Sequence, residues 1–583
     1  MLQRIISTRE FAFADILLVL LGGCLWILRP DIGILPVIIV PLLPWMLRLI
    51  AGSFPFRRTS LDWLILIFFG TAWLGYWAAY NQEVAWIKVW LICLTILLYY
   101  ALAGQPAENL AWVCIFFFCV GVGVSIYFIL TLEIVQGPRL DLTPIPPNYA
   151  AGIAAITTPF ILYTSRQSKG KNRSALLRVI AILGLGIASL AIVLANSRGV
   201  LLAIVTACSA WIVWWIFTRI PHRSRLYSGQ SFPLLVFLGL GAAVLYLYMG
   251  PANSGYGSTD VPYTTGSREE LLVSGIHIAS DFPFTGGGLG SFPGLYAYYM
   301  LGIPFFYFNN SHNLFLDVAI EQGLLGGLSF LMIFLVSIWS VAKNIVHTKL
   351  PGVQLFGWLT LGALMIAFVH GMVDDYLYNG SGTLLALALA GFANAIQQRP
   401  ASTRDHKNRY IFVLMPLLLV FFIMINRNGF RAAWLANFGA IQMAKVELAD
   451  FPMKEWTDPA IAPELDKANR TLLSAYQVDP MNHTANHRLG LISMLRGEFL
   501  SAAMYLERAH AAAPNHRGIT KSLGYCYVWL GDRDKALPLL KNIPESAYEL
   551  DIYVWWWRTQ GRHDLSRNAS QQLTDLKAQM DQP

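Results

Sequence analysis

The stretch Asn309–Gly327, NNSHNLFLDVAIEQGLLGG, decides the fold. Polar residues lead into His312-Asn313, and a long apolar helix follows. Ser311 or Asn310 is expected to cap that helix, because a short polar side chain accepts hydrogen bonds from the first free backbone N–H groups. His312 then falls in the first turn, where the positive end of the helix dipole disfavours protonation. Asn313, Asp317 and Glu321 recur every four residues and draw a polar stripe down one face. A lipid-facing helix does not tolerate such a stripe, so it faces protein or water. After nine intervening residues, Gly323-Leu-Leu-Gly326-Gly327 removes side-chain bulk and admits a second helix at close range.

Around this stretch the chain has the composition of an integral membrane protein. Of its 583 residues 56% are hydrophobic and only 13% charged, against about 25% charged in soluble domains. Thirteen apolar segments approach the roughly 20 residues that cross a bilayer: 11–29, 33–51, 61–80, 84–103, 109–132, 148–165, 178–196, 200–218, 232–249, 312–342, 353–373, 380–397 and 410–426. The expected architecture is all-α, a polytopic membrane domain followed by a soluble helical domain. Five of the six cysteines lie in apolar segments and Cys526 stands alone, so neither disulfides nor a zinc site are expected. The first apolar stretch has no small-residue cleavage site after it, which argues against a cleaved signal.

The basic residues orient the bundle. With the N-terminus in the cytoplasm, nineteen lysines and arginines collect inside and five outside: Arg29, Lys88, Arg139, Arg198 and Arg268. The net charge of +8 is therefore mostly topological, and nucleic acid is not implied. The C-terminal tail and the long loop Pro251–Ser311 fall outside. An outer arginine has no topological role, so it is either an interfacial anchor or a ligand for an anion.

Arg198 lies in the tight polar turn Asn196-Ser-Arg-Gly199, and its guanidinium fork matches phosphate oxygens. Arg268 opens a helical stretch of the loop. A glycine-rich turn follows at Asp281–Phe292, which can bring backbone N–H groups to a ligand. His312 reads either as a capping or core histidine or as a neutral base. His370, Asp374 and Asp375 end the eleventh segment; the two carboxylates can bind a cation or orient a base, without the histidine pair a metal site requires. His277 lies in the loop, and Pro146-Pro-Asn148-Tyr149, with Arg139 just before it, forms a polar entrance.

After Asn426 the apolar runs stop. Pro480, Leu489-Gly490, Gly497 and Ala502 recur 34 residues later as Pro514, Leu523-Gly524, Gly531 and Ala536. That period resembles the tetratricopeptide repeat, with 430–479 and 545–578 as degenerate or capping helices. Such helix pairs stack into a concave surface and often bind a protein; a structural lid is the alternative.

His312-Asn313, nine residues, then Gly323-x-x-Gly326 resembles the signature of the bacterial O-antigen ligases, a family whose core is shared by O-antigen polymerases and protein O-oligosaccharyltransferases. The Ser197-Arg198-Gly199 turn, Arg268 and the run Pro-Phe-Thr-Gly-Gly-Gly-Leu-Gly-Ser-Phe ending at Phe292 resemble the rest of that core, over about residues 180–395. The resemblance implies transmembrane helices over 1–179, a ligase-type core over 180–397 including the periplasmic loop 251–311, a last span in 398–426 and a periplasmic repeat domain over 427–583. It further implies a metal-independent, cofactor-free glycosyltransferase of the membrane-embedded C type. A glycan would pass from undecaprenyl diphosphate to an acceptor hydroxyl at the periplasmic face of the inner membrane, with inversion. Arg198 and Arg268 would hold the diphosphate and His312 would be the general base. Asn313, Asp317, Arg139, Asn148, Asp374 and His370 are candidates for substrate contacts. The acceptor stays open between a glycan repeat, the lipid A core and a protein hydroxyl. A glycan-lipid transporter, and an anchor for the repeat domain, are the competing readings of the residues.

Overall fold

The structure is a computed structural model that describes residues 2–6, 8–28, 33–132, 145–166, 173–219, 268–303, 308–348, 350–397, 426–453 and 461–580. Every regular element among them is helical. The expected segments 232–249 and 410–426, and Arg139, lie outside the described residues.

Four described helices are long and apolar enough to cross a membrane: Gln82–Ala103, Ala107–Thr131, Leu314–His347 and Gly352–Gly371. Shorter apolar helices stand beside them at Ile34–Ile50, Asp62–Ala78, Arg178–Leu194, Arg198–Ile212 and Gly382–Ile396. Helix bounds follow the expected segments closely where both are described. The twelfth segment departs: Gly380–Leu385 is a tight 3-10 turn, and an α-helix covers only Ala388–Ile396. A Cβ at Gly382 would fall 1.8 Å from the Tyr376 carbonyl, so the chain turns back tightly before the α-helix begins. Leu314–His347 is central, packing on Asp62–Ala78, Pro351–Gly371, Ala388–Ile396 and the loop helix Arg268–Asp281.

That central helix is not continuous. Gly323 adopts φ 79 and ψ 171, a backbone open to glycine alone, and divides it in two. The signature glycine is therefore a break, and the glycine-rich turn fills it. Gly287 N–H donates to the Ile320 carbonyl at 2.7 Å and Leu324 N–H to the Pro283 carbonyl at 2.9 Å. Leu289 N–H donates to Gly75 at 3.0 Å. The expectation that this turn offers its N–H groups to a ligand is corrected at Gly287 and Leu289, whose donors satisfy carbonyls of the bundle.

The repeat holds in register. His483–Leu495 with Phe499–Ala512, and Arg517–Leu530 with Arg533–Leu540, are helix pairs 34 residues apart. Asn482 and His516 cap equivalent helices with their side chains. Gly497 and Gly531 take left-handed backbones at equivalent turns. A Cβ at Gly490 would meet Leu506 at 2.6 Å, and one at Gly524 would meet Leu540 at 2.6 Å. Arg427–Glu447 with Asp466–Val478, and Ser546–Thr559 with His563–Met580, flank them.

The loop helix and the repeat domain share one core. Leu271, Ile278, Phe282 and Tyr299 are buried with Met443, Leu472, Leu489 and Ile492. Charge pairs then pin both ends of the helix that begins with Arg268, half-buried at its start and fully buried at its end. Near its start Glu270 pairs with Arg517, and at its end Asp281 accepts from Arg488 at 3.0 Å and from Thr484 at 2.7 Å. Lys521 pairs with Glu545 and Glu549 and donates to the Leu301 carbonyl. Thr484, Arg488, Arg517 and Lys521 lie on the first helices of the two clear repeats, while Asn437 and Glu447 of Arg427–Glu447 hold Phe284, Thr285 and Tyr299. The first-helix face is occupied by the chain's own loop.

Candidate functional site

The site forms where three elements meet the turn that follows Pro351–Gly371. Asn313 Nδ2 donates to the Met372 carbonyl at 3.0 Å. Arg268 Nη1 donates to the Val373 carbonyl at 2.8 Å. A Cβ at Gly199 would lie 2.9 Å from Val373 and 3.3 Å from His370, so the Arg198 turn rests on the same place.

The cap of the central helix is Asn313, whose Oδ1 accepts from Phe315 N–H at 3.1 Å and Leu316 N–H at 3.0 Å. Ser311 and Asn310 do other work. Asn310 Oδ1 accepts from His312 N–H at 3.1 Å, and Ser311 N–H donates to Asp317 Oδ1 at 2.9 Å. His312 therefore stands one residue before the cap rather than in the first turn. Its neutrality comes from a different source than the helix dipole. Burial, then the charge of Arg268, push its pKa down to about 4. Its Nδ1 is buried with no hydrogen-bond partner among the described residues.

Two non-glycine residues among those described hold positive φ, Asn196 at 48 and His312 at 56. One sits two residues before Arg198, and the other is the candidate base. Left-handed backbone at a non-glycine residue is held against strain by its surroundings, and such residues cluster at functional sites. The Arg198 side chain is exposed.

The remaining candidates divide. Asn148 hydrogen-bonds the carboxylate of Asp374, which burial pushes up to about 6 and whose Oδ1 has no partner among the described residues. Asp375 accepts from the Tyr149 hydroxyl at 2.9 Å and from Asn379. The polar entrance thus docks on the aspartate pair. Asp317 is 1% exposed and turned to the His312 loop through Ser311. His370 is 1% exposed, with its ring against Tyr376 at 4.5 Å. Both are enclosed by protein. His277 stands apart, beside His516 of the repeat domain.

Lys88, counted among the five outer basic residues, is paired with protein rather than open to an anion: its Nζ lies 2.7 Å from Glu321, 2.9 Å from Asn379 Oδ1 and 4.0 Å from the Tyr378 ring centre. It neutralises the lower end of the polar stripe. A lone lysine in an apolar segment gave no sign of its partner, 233 residues away.

With this geometry in place, the family comparison is specific. Residues 183–331 match the O-antigen ligase family. The matched part carries Arg198, Arg268, the glycine-rich turn, His312 and the Gly323 break. Residues 493–555 match the tetratricopeptide repeat. Curated proteins gave no match. The ligase match over residues 183–331 and the apolar helices point to a multi-pass membrane protein that contains an O-antigen ligase-type region, with a helical-repeat domain attached.

Proposed function

We propose that the protein transfers a glycan from undecaprenyl diphosphate to an acceptor hydroxyl at the periplasmic face of the inner membrane, without a metal or cofactor in the reaction. The proposed topology has thirteen spans, with the N-terminus cytoplasmic and residues 427–583 periplasmic. One observation carries the reading. The His312 imidazole has a buried Nδ1 with no partner among the described residues and sits on a left-handed backbone, and burial, then Arg268, lower its pKa.

His312 acts as the general base that takes the proton of the acceptor hydroxyl. A base with a pKa near 4 is unprotonated at neutral pH but accepts protons weakly. Arg268 supplies the remedy. When the donor diphosphate lies on Arg268, its negative charge offsets the guanidinium, and the imidazole becomes more basic only once donor is bound. Arg198 shares the diphosphate, and both arginines stabilise charge growing on the leaving group, the kind of contribution that usually dominates. A single direct attack inverts the anomeric centre. Asn148 and Asp374 contact the acceptor or the sugar.

The test is a transfer assay in nanodiscs with a lipid-diphosphate glycan pool, products followed by mass spectrometry. Wild type releases undecaprenyl diphosphate. His312→Ala lowers the rate by about 10²–10⁴-fold, the usual worth of a positioned base, and Arg198→Ala lowers it further at low donor concentration. The product mass names the acceptor among glycan, lipid A core and protein. Normal turnover by His312→Ala removes its assigned role. Movement of the glycan-lipid across the bilayer without release would favour a transporter.

A further inference from the structure

The seam between the loop helix and the repeats holds more histidine than docking requires. Arg268–Asp281 presents His277 and Asp281 four residues apart, and His483–Leu495 presents His483 and His487 at the same spacing. Residues at that interval share a helix face. His516, which caps the next repeat, closes the group. Asp281, His487 and His516 are all buried, and they place ligand atoms within 4.8 Å of one another. Neither ring nitrogen of His487 has a partner among the described residues, nor does His516 Nε2. His483 Nε2 lies 3.6 Å from Asp281 Oδ1, and the His277 ring lies 4.7 Å from that of His516. Buried polar atoms are almost always satisfied, so unpartnered imidazole nitrogens gathered with a carboxylate in this space call for a ligand.

We propose that Asp281, His487 and His516 bind one zinc-type divalent cation, with His483 or His277 as a further ligand. Imidazole and carboxylate donors suit such an ion. Burial holds His516 down to about 3 and His487 well below the ordinary histidine range, so both keep lone pairs to offer. Two features set limits. Arg488 occupies Asp281 Oδ2 and opposes a second cation, which puts the affinity below that of a closed structural zinc site. His516 Nδ1 accepts from Ile519 N–H at 3.2 Å. Binding through Nε2 therefore moves the ring proton to Nδ1 and ends that contact. The bound ion would tie both repeats to the helix that carries Arg268. It stands outside the transfer chemistry and does not depend on it.

The experiment uses full-length protein purified without a polyhistidine tag and stripped with a chelator. Zn²⁺ is titrated against a chromophoric competitor. One zinc per chain is expected, with binding weakened ~10-fold or more in His487→Asn and in His516→Asn. Absence of stoichiometric zinc, or equal affinity in the double variant, overturns the site. If the variants do not fold, wild type loaded with Co²⁺ decides alone. Intense visible bands of a four- or five-coordinate ion support it, and the weak spectrum of a six-coordinate aqueous ion overturns it.

Discussion

Asp317 Oδ1 accepts the backbone N–H of Ser311 at 2.9 Å, which fixes the residue immediately before His312. The carboxylate sits one turn inside the central helix and reaches back across Asn313. It sets where the imidazole stands without touching anything that reacts. Asp317→Ala leaves a buried N–H unpaired, a loss of about 1–3 kcal/mol. Transfer is expected to fall at least tenfold in kcat with donor KM little changed, while Asp317→Asn, which keeps an acceptor oxygen, recovers most of it. Steady-state kinetics of both variants separate this positioning role from substrate binding, which would raise KM instead.

Gly323→Ala is expected to destabilise the membrane domain. Its backbone is closed to other residues, and a Cβ there would stand 2.7 Å from the Phe284 carbonyl. The strained conformation alone costs about 1–3 kcal/mol. Thermal unfolding in detergent reads the loss. A neighbouring change at exposed Leu325 is the control, expected to leave the melting temperature unchanged.

Gly323 also marks the limit of what could be read in advance. The period of apolar residues gives helices, and the 34-residue repeat gives the hairpins, because each is local. Glycine within an apolar run has two physical uses, close approach and broken backbone, and composition does not separate them. The same holds for capping. Asn310, Ser311 and Asn313 are all competent, and the choice fell on Asn313 because Asp317 and His312 claimed the other two. The order Arg198, Arg268, His312 was legible as a motif. The turn at Met372 and Val373 that gathers their elements was not, since backbone carbonyls leave no trace in the residue alphabet. Nor was the tie between Arg268's helix and the repeats, although His483 and His487 at helical spacing were visible.

The acid limb of activity tests the field at His312. The imidazole must be unprotonated, so activity is lost as pH falls through its pKa, lowered to about 4 by burial and by Arg268. In kcat/KM, which reports the free enzyme, the wild-type limb is expected near pH 4. Arg268→Gln removes a positive charge that favoured the neutral ring, so the pKa rises and activity fades at a higher pH. A limb that stays in place on this substitution would show that Arg268 does not act on the base.

Lys88 and Glu321 form an enclosed ion pair, with side chains only 8% and 3% exposed. Removing one partner strands the other, at a cost of about 3–5 kcal/mol. Lys88→Met is expected to lose most folded protein. Combining it with Glu321→Gln should restore much of the stability, because no uncompensated charge then remains. Detergent-resistant yield and melting temperature across the four combinations give the coupling directly.

Deletion of residues 427–583 bears on what the repeat domain is for. The first-helix face holds the chain's own loop through Arg488, Arg517 and Lys521, so it is closed to a partner in this conformation. If the domain is a clamp on the Arg268 helix, the truncated protein inserts in the membrane but does not transfer. Glu270→Gln is the graded version. It keeps the fold's apolar contacts while loosening the start of the helix two residues from Arg268, and it should raise donor KM more than it lowers kcat. Recruitment of an acceptor protein predicts the opposite pattern, in which the truncated enzyme retains donor hydrolysis and loses only the acceptor product. Measuring lipid-diphosphate release alongside product formation in the two variants separates a clamp from a recruiter.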